Sequence, residues 1–90
     1  MIKPMRRLGV IIRESRKELD ISQEKLALLV EYDCANIRKI ENGKRLPPND
    51  LLERISKVID VPYKRLIALK TLDKVDEEVI YWLKLELEAL

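Results

Sequence analysis

The 90-residue sequence has no histidine, no phenylalanine, one cysteine and two glycines. Without histidine, neither a histidine general base nor a histidine metal ligand is possible. A lone cysteine excludes a disulfide framework within the chain and fits a reducing compartment. The sequence also contains no glycine-rich phosphate loop and no cluster with metal-ligand spacing. We therefore expect neither an enzyme nor a site for a cofactor or metal.

Long apolar runs are also missing. No segment is long and apolar enough to cross a bilayer and no signal-peptide pattern is present, so we expect a cytoplasmic protein with no membrane partner. This length supports one domain plus an appendage. Although 47% of the residues are hydrophobic, the lack of phenylalanine leaves leucine, isoleucine and valine to build the core. Because such a core is small, extra stability often comes from association.

Charge is divided unevenly along the chain. Residues 1–70 carry 16 basic and 10 acidic side chains, which gives +6, whereas residues 71–90 carry 2 basic and 6 acidic side chains, which gives −4. A basic body and an acidic tail suit a protein whose body binds a polyanion while its tail faces away from that polyanion. Uneven charge is also common on solvated helices, so this asymmetry does not decide the function by itself.

The most informative stretch is residues 22–44, which predicts two short helices joined by a tight turn. Ser22 is a favourable N-cap, and the apolar positions that follow lie on one face up to Val30. Asp33 is placed to cap a second helix. Gly43 ends that helix, because glycine tolerates the left-handed conformation of a helix C-terminus.

The second of these helices has two different faces. Ile37 and Ile40 lie together on the side that is built to be buried. The opposite face carries Cys34, Ala35, Arg38, Lys39 and Asn42. Lys44 and Arg45 follow directly and add capacity to bind phosphate. The stretch therefore offers a docking surface for a polyanion.

Helical spacing continues through the rest of the chain, and no segment alternates with period two, so we predict an all-α fold. The predicted helices run from about Met5 to Leu19, Ser22 to Val30, Asp33 to Glu41, Asn49 to Ile59 and Pro62 to Leu69. A sixth helix is predicted to begin at Asp73, with that aspartate as its N-cap.

Two motifs point to a known family. The sequence I-S-Q-E-x-L-A at residues 21–27 is followed by I-x-x-I-E-N-G-K at residues 37–44. With these motifs, residues 8–67 resemble the phage-repressor helix-turn-helix family of the Cro/cI or XRE type. The resemblance implies a five-helix lambda-repressor-like DNA-binding domain over residues 1–70. Residues 71–90 would then form an added C-terminal amphipathic helix for dimerisation or partner binding.

The function that the resemblance implies is sequence-specific, repressor-like regulation of transcription, by a protein associated with the nucleoid. A homodimer would bind a palindromic double-stranded operator, with a recognition helix at about residues 33–41 in the major groove. The expected base contacts are Cys34, Ala35, Arg38 and Lys39. The expected phosphate contacts are Ser22, Gln23, Asn36, Asn42, Lys44 and Arg45. Arg16 and Glu41 are expected to form a structural ion pair.

Three residues depart from the family pattern. Asp20, Glu31 and Asp60 occupy turn positions where the family often has glycine. If their backbones are left-handed, each stores strain of about 1 kcal/mol.

The C-terminal segment leaves three arrangements open. Its apolar residues cluster within one wide arc: Val75, Val79, Trp82, Leu83, Leu87 and Leu90. A helix this short is marginal in water when isolated, so it must pack on something. It could fold back on its own domain, pair with the same helix of a second subunit, which we favour, or bind a different protein. The last possibility defines an alternative function, a protein-interaction module or antitoxin-like regulator that uses its acidic helix.

Overall fold

Five α-helices make up the part of the chain that the computed structural model describes, residues 6–89, and no strand occurs there. The all-α prediction is confirmed. The helices are α1 (Arg7–Glu18), α2 (Gln23–Leu29), α3 (Cys34–Glu41), α4 (Asn49–Ile59) and α5 (Tyr63–Ala89). The first four lie where the periodicity predicts them, although the expected start at Met5 lies outside the described residues.

The helices enclose one core, and its fully buried side chains come from all five of them. The Ser22 hydroxyl accepts a hydrogen bond from the Lys25 amide at 3.0 Å, and the Asp33 carboxylate accepts one from the Ala35 amide at 3.0 Å. Both predicted N-caps are therefore formed. The large aliphatic side chains that are fully buried are Leu8, Ile12, Leu26, Val30, Ile37, Leu51, Leu52, Ile55 and Leu66.

The backbones of α1 and α3 come unusually close at Gly9. A Cβ atom at this position would lie 2.5 Å from the carbonyl oxygen of Ile40 and 2.7 Å from that of Glu41. Contacts that short are not tolerated against backbone atoms, so only glycine permits this approach. The end of α3 is thereby seated directly on α1.

The predicted break before Asp73 is wrong. One continuous helix, α5, runs through the positions predicted for the fifth and sixth helices and through the expected boundary between residues 70 and 71. No glycine or proline interrupts it there. Asp73 is fully buried, and its carboxylate accepts hydrogen bonds from the amides of Arg7 at 3.0 Å and Leu8 at 2.9 Å. It therefore caps α1, whose own N-cap residue makes no side-chain cap bond.

Three non-glycine residues have left-handed backbones, as their turn positions predict. Asp20 and Glu31 have φ of 55° and Asp60 has φ of 57°. Aspartate tolerates this region better than most residues do, whereas glutamate gains no comparable local hydrogen bond. Glu31, exposed after α2, is thus the position where strain is least compensated.

We expect Glu31→Gly to raise the free energy of unfolding by about 0.5–1 kcal/mol. Glycine removes the strain of the left-handed backbone, but it also raises the conformational entropy of the unfolded chain. Only part of the strain energy therefore appears as an increase in the free energy of unfolding. Urea denaturation measures the change. Glu31→Ala is the matched control, because it removes the same charge and keeps the Cβ. Equal stability of the glycine and alanine variants would contradict the prediction.

The C-terminal third of α5 projects from the body. All side chains from Tyr81 to Ala89 are exposed, and the described chain measures 49 × 24 × 21 Å along its principal axes. Within residues 6–89, none of the helices is both long and apolar enough to cross a membrane.

Candidate nucleic-acid interface

The buried and exposed faces of α3 divide as its sequence predicts. Ile37 and Ile40 are buried against the core. Ala35, Arg38 and Lys39 are exposed, and Cys34 is half-buried with its side chain packed against the core cluster. The exposed face is thus cationic, while its N-terminal end is lined by small side chains.

An ion pair between α1 and α3 fixes the end of this helix. The Arg16 Nε donates to Glu41 Oε2 at 2.8 Å, and its Nη2 donates to Glu41 Oε1 at 2.9 Å. The third guanidinium nitrogen donates to the Ile21 carbonyl at 2.8 Å. Hydrogen bonding to Glu41 raises the pKa of Arg16 and outweighs the opposing effect of burial. The two residues expected to form a structural pair are therefore in bidentate contact.

The pair continues into a chain of hydrogen bonds that reaches the exposed face. Gln23 Nε2 donates to Glu41 Oε1 at 3.1 Å, and Arg38 Nε donates to Gln23 Oε1 at 3.2 Å. Arg38 Nη2 also donates to Glu24 Oε1 at 3.2 Å. A backbone hydrogen bond at Glu24 and the bond from Arg38 lower the pKa of the Glu24 carboxyl. Arg38 is consequently held against the start of α2.

The loop after α3 is tied back onto the same helix. Arg45 Nη1 donates to Asn36 Oδ1 at 2.6 Å, and Asn36 Nδ2 donates to Asp33 Oδ2 at 3.3 Å. Two residues expected to contact phosphate thus lie together beside the N-terminus of α3. The contact places the Arg45 guanidinium group beside the first turn of α3.

Two lysines on this surface have no such attachment. Lys39 and Lys44 are exposed, and neither side chain has a hydrogen-bond or ion-pair partner within residues 6–89. Asn42 is exposed at the C-cap of α3. Lys39 therefore differs from its neighbour Arg38, because it can meet an anion without breaking an internal bond.

A family model described as Helix-turn-helix matches residues 12–66, more than half of the chain. This protein belongs to that helix-turn-helix family. The chain is 36% identical over 61 residues to the uncharacterized HTH-type transcriptional regulator RghRB of Bacillus subtilis (strain 168). The match covers 67% of this helix-turn-helix chain and 44% of the relative, so the chain spans less than half the length of that curated protein.

Solved structures give the same fold. The restriction-modification controller protein C.AhdI from Aeromonas hydrophila superposes with a TM-score of 0.61 at 27% identity, covering 66% of this chain and 89% of that one. PA4674 from Pseudomonas aeruginosa, solved in complex with its operator DNA, gives a TM-score of 0.73 at 22% identity, covering 87% and 84%. At that identity the second likeness concerns the fold of this helix-turn-helix protein alone.

Sequence reasoning missed two residues that shape the surface. Glu24 holds Arg38, although the S-Q-E motif gives no hint of a partner 14 residues later. Asp73 anchors α5 on α1.

The five described residues of the predicted dimer or partner stripe are all exposed: Val75, Val79, Trp82, Leu83 and Leu87. Leu90, the sixth, lies outside the described residues.

Proposed function

We propose that this protein is a sequence-specific DNA-binding transcriptional regulator of the repressor type. It binds a palindromic operator as a homodimer, with α3 in the major groove. The observation that carries this proposal is the cationic, exposed face of α3, presented on a rigid scaffold and flanked by basic loop residues. The name of the related HTH-type transcriptional regulator and the operator complex of PA4674 support it.

Base reading falls mainly to Lys39. Its unattached ammonium group can donate to guanine O6 or N7 in the major groove. Gln23 and Glu24 hold the Arg38 guanidinium group, so reading a base or meeting a phosphate competes with these two bonds. Cys34 and Ala35 are too small for extensive hydrogen bonding, but Ala35 can pack on a thymine methyl group.

Phosphate contacts surround the recognition helix and set its register without reading sequence. Arg45, oriented by Asn36, and the unattached Lys44 lie on one side. Gln23 and the first amides of α2 lie on the other. Ser22 and Asn42 complete the proposed set. Two such surfaces related by a two-fold axis would meet half-sites about 34 Å apart.

We expect Lys39→Ala to relax specificity at one base pair of each half-site, with a loss of about 1–3 kcal/mol of binding free energy there. Selection from a random duplex pool identifies the preferred sequence for the wild type and the variant. The affinity of the enriched duplex is then followed from 50 to 200 mM salt. The expected result is a two-fold symmetric motif that becomes degenerate at one symmetric position in the variant.

Lys84→Ala is the matched control, because it removes the same charge from the exposed tail, far along the chain from α3. The control should keep the full motif. No enrichment with the wild type, together with weak and steeply salt-dependent binding, would overturn the proposal.

A second candidate, capture of another protein by the tail, is favoured by one observation. The tail combines exposed apolar side chains with a charge of −4. Trp82→Glu distinguishes the two. If this variant loses self-association and operator affinity together, the tail serves the regulator's dimer. If it keeps both and loses only a heterologous complex, the second function is correct.

A further inference from the structure

A single apolar stripe runs along the exposed side of α5. Its members follow one another at spacings of three and four residues, which places them on one face of the helix. They are Ala68, Leu72, Val75, Val79 and Trp82, with Leu83 beside them. The large side chains of this set are 45–61% exposed. Such a continuous apolar surface on a projecting helix requires a partner.

Opposite charges stand at the two ends of the stripe. Arg65 continues the spacing at one end and Glu86 at the other. Both are exposed, and neither side chain has an ion pair or hydrogen bond in the part of the chain that the structure describes. The charges of α5 as a whole are divided in the same direction. Residues 63–72 carry three cations and no anion, whereas residues 73–89 carry a net charge of −4.

We propose that two copies of this chain dimerise by antiparallel pairing of their α5 helices, with Arg65 of each copy opposite Glu86 of the other. The inference rests on the proposed homodimer and specifies its interface. A parallel pair would place Glu86 against Glu86 and Arg65 against Arg65, which repel. The antiparallel pair replaces both repulsions with attractions, over an overlap of about 32 Å.

A groove beside the N-terminal part of α5 fits the same arrangement. It lies between α1 and α5, has a volume of about 420 Å³ and is lined by the apolar side chains of Val10, Ile11 and Leu69. Arg6, Arg7 and Arg65 also line it with Glu14; Arg6 and Arg7 are paired with acidic residues of α5, whereas Arg65 has no such pair in the described residues. In an antiparallel pair, the acidic tail of the second copy ends next to this groove and can bury Leu83 and Leu87 there. A parallel pair would carry the two tails away from both grooves.

Charge reversal in the full-length chain tests the orientation. Arg65→Glu and Glu86→Arg should each raise the dimer dissociation constant about three- to tenfold at 50 mM salt, because each change creates two repulsive pairs per dimer. The double variant should return to within about twofold of the wild type. Sedimentation equilibrium measures all four proteins. Lys84→Glu and Glu88→Arg, which lie on the opposite face of α5, are the matched controls and should leave the constant unchanged.

Glu86→Gln separates the two orientations by the sign of its effect. Antiparallel pairing predicts weaker dimerisation, because an attraction is lost, whereas parallel pairing predicts tighter dimerisation, because a repulsion is lost. Tighter dimerisation, a double variant that fails to recover, or a monomer at all concentrations would overturn the inference. If the same preparations still select a palindromic DNA motif, the inference about helix orientation fails alone and the proposed function is unaffected.

Discussion

Replacing Arg16 with methionine is expected to lower the free energy of unfolding by about 3–5 kcal/mol. The Glu41 side chain is completely buried and receives both of its short charged hydrogen bonds from Arg16. Methionine fills similar space but leaves this carboxylate without a counter-charge and, among residues 6–89, with the side-chain amide of Gln23 as its one remaining donor. Urea denaturation at an unchanged m-value measures the loss.

The matched control is Arg13→Met, which removes an exposed arginine from the same helix and should change stability by less than about 0.5 kcal/mol. A second variant tests the mechanism. Arg16→Met combined with Glu41→Met removes the stranded charge, so the double variant should be more stable than Arg16→Met alone. A double variant that loses the sum of the two single effects would contradict the argument.

Replacing Asp73 with alanine is expected to lower the free energy of unfolding by about 2–4 kcal/mol. The change leaves the amides of Arg7 and Leu8 without their acceptors, and the second of these bonds is buried. It also removes a carboxylate that accepts from the Arg7 side chain at 3.3 Å. Asp73→Asn keeps an acceptor oxygen and should lose about half as much. Chemical denaturation measures both variants.

Asp76→Ala provides the comparison, since this carboxylate also binds the Arg7 side chain, at 2.8 Å, but is partly exposed and contacts no α1 amide in the described structure. Its loss should cost less than about 1 kcal/mol. Equal losses at both positions would show that the salt bridge, rather than the cap, holds α5 on α1.

These two anchors connect the tail to the proposed DNA-binding surface through α1. Asp73 fixes the start of α1 on α5, while Gly9 and Arg16 fix the same helix on α3. The position of the proposed dimer helix therefore determines, through a short series of packed contacts, where α3 lies. In a dimer that binds two half-sites of an operator, these fixed contacts would set the distance between the two α3 helices.

The sequence by itself determined the local structure. Ser22 and Asp33 predicted two helix starts, and the apolar spacing predicted which face of α3 is buried. Both features depend on neighbours within about four positions, the range over which caps and helix faces act. The family resemblance added the Arg16–Glu41 pair and the three turn positions with left-handed backbones, which no local rule contains.

Only the tertiary structure decided the rest. Asp73 looks like an N-cap in sequence, but it becomes an interior residue of α5 because amides 65 and 66 positions away satisfy its carboxylate. Arg38 looks free, but Gln23 and Glu24 hold it. Such partners are set by how helices pack, and helical periodicity carries no information about them. The same holds for the tail, whose apolar stripe is evident in sequence while the arrangement that leaves it exposed is a property of the fold.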